Sequence, residues 1–230
     1  MNPKIQLSAA GLAEMIDHTF LKPYGQPEDI EKLCTEALQY GFAMVAIHPA
    51  EVEHCVRLLA GSQVHTGAAI GFPLGQTTQA VKAFETRDAI QRGVDEIDMV
   101  INLRALQAGE VTVVRGEIED LLAACRPNGI ICKVILETCY LTDEQKRLVC
   151  RLAQEAGADF VKTSTGFGSA GATVEDVRLM RAAVGPQMGV KASGGVRTLD
   201  QALAMIEAGA TRLGTTAGVS IVEDLRSRGG

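Results

Sequence analysis

Lys162 is a single basic residue inside a segment of apolar, hydroxyl and glycine residues. It lies in AGADFVKTSTGFGSAGAT, where Phe160 and Val161 precede it. This run predicts a buried parallel strand, and an unpaired ammonium in such a strand is unfavourable. Lys191 has an equivalent context in MGVKASGGV, and a second ammonium nearby lowers the pKa of Lys162 further. A neutral lysine amine is a nucleophile for aldehydes and ketones, so the sequence predicts imine chemistry.

Strand alternation places further charged residues on the same faces as these lysines. Asp98 lies in EIDMVIN and Lys133 in ICKVILE, each flanked by apolar residues. If these faces point inward, Asp98, Lys133, Lys162 and Lys191 cluster inside the fold. Buried charges are weak stabilisers at best, so such a cluster indicates function. The alternative is that some of them, Lys133 above all, point outward and reach solvent between helices.

The elements that must position these residues are short β-branched runs separated by amphipathic helical segments. Helix signals recur between the runs, such as Pro27 at a first helical position and Thr173 and Thr198 as N-caps. An earlier helix is predicted near 8–15, with Ser8 as its N-cap. The eight predicted strands are 15–20, 43–48, 65–72, 96–102, 131–137, 159–164, 188–193 and 211–216. Without a linker or a change in composition, they favour an α/β fold, one (β/α)8 TIM barrel over residues 1–230, rather than an open sheet.

The barrel prediction also locates a phosphate site. Barrel active sites form at the C-terminal ends of the strands, and phosphate sites often follow strands seven and eight. Ser193 ends predicted strand seven, Gly194 and Gly195 follow it, and Gly166 follows strand six. Gly214, Thr215 and Thr216 form the end of predicted strand eight. The short helical segment that follows, VSIVEDL, has an N-terminus that could face an anion.

Composition excludes several classes of protein. The chain of 230 residues is 47% hydrophobic and 22% charged, with a formal charge of -6, and has no extended basic stripe for nucleic acid or acidic membranes. Its six cysteines and four histidines lack the spacing of a metal site. Since no signal core or apolar stretch of about 18 residues occurs, we expect a cytoplasmic protein. A homo-oligomer, by default a dimer, is expected.

Six motifs together resemble the deoxyribose-phosphate aldolase family, from about residue 10 to about residue 220. They are IDHTFLKP, EIDMVIN, KVILET, FVKTSTGF, VKASGGVRT and LGTTAG, of which FVKTSTGF is the most specific. The resemblance implies a class I aldolase that interconverts 2-deoxyribose 5-phosphate with glyceraldehyde 3-phosphate and acetaldehyde, without metal or cofactor. It implies Lys162 as the Schiff-base lysine, Lys191 as the second lysine and Asp98 as the acid/base carboxylate, relaying protons through water.

The resemblance also implies which residues line the substrate pocket. Two departures affect the phosphate site: Thr216 and Ala217 stand where the family usually has two serines, and Phe167 where some members have lysine. Phosphate affinity is then weaker, or backbone N–H groups replace the missing partners. For Asp17, a structural role at the barrel rim stays open beside substrate binding. The predicted substrate-binding residues are Asp17, Thr19, Lys133, Thr165, Gly166, Ser193, Gly194, Gly195, Gly214, Thr215 and Thr216.

Two other functions fit the same residues. A phosphate-binding barrel isomerase or synthase would use Lys162 as an electrophile and Asp98 as the base. A sugar-phosphate sensor without catalysis would keep the pocket only, and the three catalytic residue types argue against it. A metal-dependent aldolase would need a convergent set of His and carboxylate ligands, which the sequence lacks.

Overall fold

The chain folds into a closed barrel of eight parallel strands in sequence order. The computed structural model describes residues 7–229, so residues 1–6 and 230 of the predicted domain lie outside it. The predicted α/β TIM barrel is confirmed, and each of the eight predicted runs contains one strand. The strands are β1 (Ile16–Thr19), β2 (Met44–Ile47), β3 (His65–Ile70), β4 (Glu96–Val100), β5 (Ile131–Ile135), β6 (Phe160–Lys162), β7 (Gly189–Ser193) and β8 (Arg212–Thr215).

The helices begin where the sequence supplies capping side chains. Ser8 caps the first helix, and Thr173 and Thr198 cap helices before β7 and β8, as predicted. The helices are α1 (Ala9–Ala13), α2 (Pro27–Tyr40), α3 (Val52–Leu58), α4 (Gln79–Gln91), α5 (Leu103–Gln107), α6 (Val111–Cys125), α7 (Asp143–Ala156), α8 (Val174–Val184), α9 (Leu199–Glu207) and α10 (Gly218–Ser227), with single 3-10 turns at Pro49–Glu51, Arg126–Asn128 and Thr138–Tyr140. Within residues 7–229, no helix is both long and apolar enough to cross a membrane.

The apolar core lies between the barrel and the surrounding helices. On β4, Ile97 and Met99 are buried in this core, whereas Asp98 between them points into the barrel. Val134 and Val161 show the same alternation beside Lys133 and Lys162. Because every second strand residue faces the interior, the sequence pattern that builds the core also delivers the charged side chains to one place.

Candidate active site

Three lysines surround one carboxylate inside the barrel. Oδ2 of Asp98 accepts hydrogen bonds from Nζ of Lys162 at 2.8 Å and Nζ of Lys191 at 2.7 Å. Oδ1 accepts from Nζ of Lys133 at 2.7 Å. Strand register explains the convergence, since Lys162 lies directly beside Lys191 and Asp98 beside Lys133. Each of the four side chains is at most 4% exposed, so these contacts form in a poorly screened environment.

The cluster continues below Asp98 towards the N-terminal ends of the strands. Asp17 forms ion pairs with Lys191 and, at 2.7 Å, with Nη1 of Arg212. Glu96 forms ion pairs with Lys133 and, at 3.3 Å, with Arg212. Both carboxylates are fully buried, Arg212 is partly buried, and each carboxylate has at least two cationic partners. The lower part of the barrel is therefore filled by compensated charge.

The pKa values of the cluster follow from burial and these neighbours. Burial is the main reason that the pKa of Lys162 falls from 10.5 to about 8, although Asp98 opposes the decrease and Lys191 adds to it. Burial alone would raise the pKa of Asp98, but three ammonium groups hold it well below its usual range. For Lys133, three carboxylates outweigh burial and raise the pKa above its usual value. Burial thus lowers the pKa of Lys162, whereas the pKa of Lys133 is raised.

Lys162 also reaches a cavity of about 230 Å³ at the C-terminal ends of the strands. Thr19 from β1 and Thr165 from the loop after β6 line the same cavity. A neutral amine that opens into such a space has the geometry for attack on a carbonyl carbon. The cavity is lined by Thr19, Leu21, Lys22, Lys162, Thr165, Gly166, Phe167, Ser193, Gly194, Gly195, Val196, Arg197, Gly214, Thr215 and Thr216.

The loops after β7 and β8 form one side of the cavity. Gly194 and Gly195 both have left-handed backbone conformations, with φ of 83° and 82°, which allow a tight turn without side chains at the cavity wall. The hydroxyl of Thr215, the last residue of β8, donates to the Val196 carbonyl oxygen at 2.6 Å and accepts from Ala217 N at 2.9 Å, so it bonds to both loops. Thr216, by contrast, is exposed beside the first turn of α10.

Only some of the predicted site residues line the cavity. Asp98 is hydrogen-bonded to both Lys162 and Lys191, but Asp98 and Lys191 lie outside the cavity lining. Thr19, Thr165, Gly166 and the predicted residues at and just after the ends of β7 and β8 line the cavity with Lys162. Asp17 and Lys133, predicted to bind substrate, are fully buried in the ion network and lie away from the cavity lining. Strand parity gives the inward face of a residue but not its depth along the barrel axis. Asp17 is therefore neither at the rim nor in the pocket, and Lys133 does not point outward.

Sequence reasoning missed two cationic residues at the cavity. Arg197 lies two residues after Gly195 and lines the cavity wall, and Lys22 lines it from the loop after β1. Both were present in the quoted motifs, and the position of Arg197 just after a glycine pair was a usable signal. Phe167 also lines the cavity and packs edge-on against Phe72, with ring centroids 5.4 Å apart.

A closed barrel with an amine of lowered pKa at its C-terminal mouth fits an enzyme of the aldolase class. The family model described as DeoC/LacD family aldolase matches residues 12–224. The chain therefore belongs to the DeoC/LacD aldolase family, and it is an aldolase, a lyase. The predicted family is confirmed.

Individual relatives agree over nearly the whole chain. A deoxyribose-phosphate aldolase of Bacteroides thetaiotaomicron is 69% identical over 217 residues, covering 94% of this chain and 91% of that protein. One of Thermococcus gammatolerans is 57% identical over 218 residues, covering 94% and 97%. The solved tetrameric deoxyribose phosphate aldolase of Aeropyrum pernix has a TM-score of 0.89 and 34% identity, covering 96% of this chain and 93% of that one.

Proposed function

We propose that this protein catalyses the reversible aldol cleavage of 2-deoxy-D-ribose 5-phosphate to D-glyceraldehyde 3-phosphate and acetaldehyde. The observation that carries the proposal is Lys162, a buried amine with a pKa of about 8 that opens into the cavity. The deoxyribose-phosphate aldolases similar to this chain support the choice of substrate.

In the proposed reaction, the neutral amine of Lys162 attacks C1 of the open-chain sugar and loses water to form an iminium ion. The iminium accepts the electron pair of the C2–C3 bond as that bond breaks. The C3 hydroxyl loses its proton and becomes the aldehyde of glyceraldehyde 3-phosphate. The remaining enamine takes a proton at C2, and hydrolysis then releases acetaldehyde and regenerates Lys162.

We assign the proton transfers to Asp98 and Lys191 as a pair. Asp98 alone is a weak base, because three ammonium groups hold its pKa well below the usual range. Its hydrogen bond from Lys191 at 2.7 Å lets the two groups share a proton instead. A water molecule relays between this pair and the C3 hydroxyl. Lys191 also helps to keep Lys162 neutral by charge repulsion.

The phosphate is proposed to bind between the loops after β7 and β8. Backbone N–H groups near Gly194 and Gly195, the exposed Thr216 and the N-terminus of α10 supply uncharged donors. Arg197 supplies a positive charge at this cavity wall and compensates for the aromatic Phe167, where some family members have lysine. Ala217 lacks the hydroxyl of the usual serine, but its backbone N–H already bonds to Thr215.

Reductive trapping tests the imine. Incubation with acetaldehyde and sodium borohydride should leave one ethyl group on the peptide containing Lys162. Lys133 is the matched control, because it is buried in the same cluster but lies away from the cavity lining. Absence of an ethyl adduct on Lys162 would exclude the aldolase mechanism. An isomerase or synthase that uses Lys162 as an electrophile would give no adduct, and a sensor would give no cleavage of the sugar phosphate.

We also propose that catalysis needs no metal or other cofactor, since the iminium supplies the electron sink. The activity should be unchanged after dialysis against EDTA, as measured by acetaldehyde release. A loss of activity that zinc or magnesium restores would contradict this. Control samples dialysed without EDTA correct for loss of protein.

The chain is proposed to act as one domain in a cytoplasmic homo-oligomer, most simply a dimer. The closure of β1 onto β8 supports a single unit, because no subset of the strands completes the barrel. Light scattering on the purified protein measures the assembly. A tetramer, the state named for the Aeropyrum pernix structure, would replace the dimer proposal, and a monomer would exclude both.

A further inference from the structure

Glu137 is a buried carboxylate in an unusual backbone conformation, just after β5. Its φ is 55°, which makes it the one non-glycine residue with positive φ among residues 7–229. Residues other than glycine, asparagine and aspartate seldom adopt this left-handed conformation, and such outliers cluster at functional sites. The residue is only 2% exposed. Its side chain does not belong to the ion network around Asp98.

Both carboxylate oxygens of Glu137 are held by Thr165, which lines the cavity. Oε1 accepts from the backbone N–H of Thr165 at 3.2 Å, and Oε2 accepts from its hydroxyl. Neighbouring backbone bonds hold the two segments together, with Leu136 N donating to Lys162 O and Thr138 N to Thr163 O, each at 2.9 Å. Glu137 therefore links the end of β5 to the loop that follows the reactive lysine.

These contacts determine the orientation of the Thr165 hydroxyl. A threonine oxygen has one hydrogen and two lone pairs. The hydrogen goes to Glu137, and one lone pair accepts from Phe167 N at 3.0 Å. The group left for the cavity is the second lone pair. Thr165 can thus accept a hydrogen bond from a ligand but cannot donate one.

We propose that Glu137 is a positioning residue that fixes the Thr165 hydroxyl as an acceptor for a hydroxyl group of the substrate. The inference rests on the proposed function, because it concerns the sugar chain attached to Lys162. Two donors, the N–H and the hydroxyl of Thr165, point at the two oxygens of Glu137, which is the arrangement that an ionised carboxylate accepts. Burial raises the pKa of Glu137 above its usual value, although these two hydrogen bonds and the charge of Lys162 oppose the increase. A phosphate oxygen or a carbonyl oxygen, which cannot donate, is excluded as the partner of Thr165.

We assign the C4 hydroxyl of the sugar as the partner of Thr165. The C1 atom is bonded to Lys162, and the C3 hydroxyl must reach the Asp98–Lys191 pair to lose its proton. Thr165 lines the cavity with Lys162, and the next residue, Gly166, packs against Gly194 in the proposed phosphate loop after β7. In the synthetic direction, the C4 hydroxyl is the hydroxyl next to the carbonyl carbon of the acceptor aldehyde.

Two acceptor aldehydes of similar size distinguish the loss of this hydrogen bond from a general loss of activity. Glycolaldehyde has a hydroxyl next to its carbonyl, propanal has a methyl group there, and neither has a phosphate. With acetaldehyde as donor, Glu137→Gln should lower the ratio of kcat/KM for glycolaldehyde over propanal about tenfold, the equivalent of one hydrogen bond. The amide of glutamine brings an N–H where the carboxylate accepted, so the hydrogen of Thr165 is no longer held.

Substitutions of Thr165 test the proposed hydrogen bond to the substrate directly. Thr165→Val should lower the ratio about tenfold, because it removes the hydroxyl. Thr165→Ser should restore it. The double variant Glu137→Gln with Thr165→Val should have the ratio of the single Thr165→Val variant, since the two residues act through one hydrogen bond. Glu155→Gln, a carboxylate-to-amide change on the surface of α7, is the matched control and should leave the ratio unchanged.

Equal losses with both aldehydes in Glu137→Gln would overturn the proposal and leave Glu137 a purely structural residue. An unchanged ratio in Thr165→Val would overturn it as well. If Glu137→Gln does not fold, Glu137→Asp is the replacement test, because its shorter carboxylate does not reach Thr165. An unchanged glycolaldehyde-to-propanal ratio in Glu137→Asp would then contradict the proposal. Borohydride trapping of acetaldehyde in the wild-type protein keeps the two proposals apart. Without an ethyl adduct on Lys162 the proposed function fails, whereas an adduct with an unaltered ratio refutes only the role of Glu137.

Discussion

Lys162 is held in place by a hydrogen bond to a carboxylate, yet its pKa is lowered. Its amine is 2.8 Å from Oδ2 of Asp98, and that carboxylate is shared with Lys133 and Lys191. A carboxylate paired with a single lysine would raise the pKa of that lysine. Here three lysine amines share the negative charge of Asp98. Burial then dominates and brings the pKa of Lys162 down to about 8. One side chain is thereby held in position without losing its nucleophilic form.

The rate of imine formation should follow the titration of Lys162. The neutral amine is the reactive form, so the rate rises with pH and levels off above a midpoint near the pKa of about 8. Brief mixing with acetaldehyde at each pH, followed by a borohydride quench and mass analysis of the peptide with Lys162, measures this profile. A midpoint near the ordinary lysine value of 10.5 would show that burial does not act as inferred.

Removal of the second lysine should move this profile. Lys191→Leu eliminates a positive charge that lowers the pKa of Lys162 and leaves more of the Asp98 charge to Lys162. Both changes favour the ammonium form of Lys162, so the midpoint moves to higher pH and imine formation at pH 7 becomes slower. The same quench experiment measures the shift. Lys32→Leu on α2, with a side chain 74% exposed, is the control, and an identical midpoint in Lys191→Leu would contradict coupled lysines.

At the scale of elements, two loops at the cavity wall are held backbone to backbone. Ala172 N donates to Ser193 O at 3.1 Å and to Gly194 O at 2.9 Å, which joins the segment before α8 to the loop after β7. Gly171 permits this approach, since a Cβ there would lie 2.0 Å from Gly194 O. The position of the proposed phosphate loop thus depends on a residue outside the cavity lining.

Gly171→Ala should impair substrate binding more than imine chemistry. The added methyl group would displace the loop with Gly194, because backbone atoms cannot move aside as a side chain can. We expect KM for 2-deoxyribose 5-phosphate to rise about tenfold, while ethyl trapping on Lys162 changes little. Steady-state kinetics and trapping measure the two quantities on the same preparation.

The control for this substitution is Gly116→Ala on α6. A Cβ at Gly116 meets only the flexible end of Gln79, at 2.9 Å from its Nε2 atom, and alanine is favoured over glycine inside a helix. KM should therefore stay at the wild-type value in this variant. An unchanged KM in Gly171→Ala as well would mean that the two loops need not be held together for phosphate binding.

The elements could be predicted because each one is encoded locally. The β-branched run around Val161 and the N-cap Thr173 specify a strand and a helix start without reference to the rest of the chain. The sequence also predicted that Lys162, Lys191 and Asp98 converge, because this requires only that alternate strand residues face the barrel interior. Register between strands places Lys133 level with Asp98, in the ion network and outside the cavity lining, so its contact with the substrate stays a prediction.

Glu137 shows a second limit of local reasoning. The KVILET motif predicted a strand through this residue, but β5 ends at Ile135 and Glu137 adopts a left-handed turn. A glycine or asparagine would have signalled such a turn, whereas glutamate does not. The conformation is specified by the bonds to Thr165 from the next βα unit, which are visible only in the folded chain.

For the whole molecule, buried charge also occurs outside the barrel. Nζ of Lys82 on α4 lies 2.9 Å from Oε1 of Glu117 on α6, and both side chains are at most 1% exposed. Oε2 of Glu117 accepts from the backbone N–H of Asn102 at 2.9 Å, just after β4. Burial lowers the pKa of Lys82 and raises that of Glu117. This pair therefore joins two helices to the barrel wall, and we assign it to stability rather than catalysis.

Breaking the pair on one side should destabilise the fold more than removing both charges. Lys82→Met leaves a buried carboxylate without its cationic partner and should lower the free energy of unfolding by about 3–5 kcal/mol. Adding Glu117→Gln should recover most of this loss, because glutamine keeps an acceptor for Asn102 N without a charge. Urea unfolding at pH 8 measures both variants. Arg115→Ala, which breaks the exposed pair with Glu155, is the control and should cost less than about 1 kcal/mol.

The pH dependence of the Lys82→Met penalty separates charge from packing. Without Lys82, burial raises the pKa of Glu117 in the folded state further above its value in the unfolded chain. At a pH below the pKa of Glu117 in the unfolded chain, Glu117 is protonated in both states and the charge penalty vanishes. As the pH rises from this pKa towards the higher pKa of Glu117 in the folded state, the penalty grows. The loss should therefore be smaller at pH 5 than at pH 8. An equal loss at both pH values would mean that the methylene groups of Lys82, rather than its charge, stabilise the contact between α4 and α6.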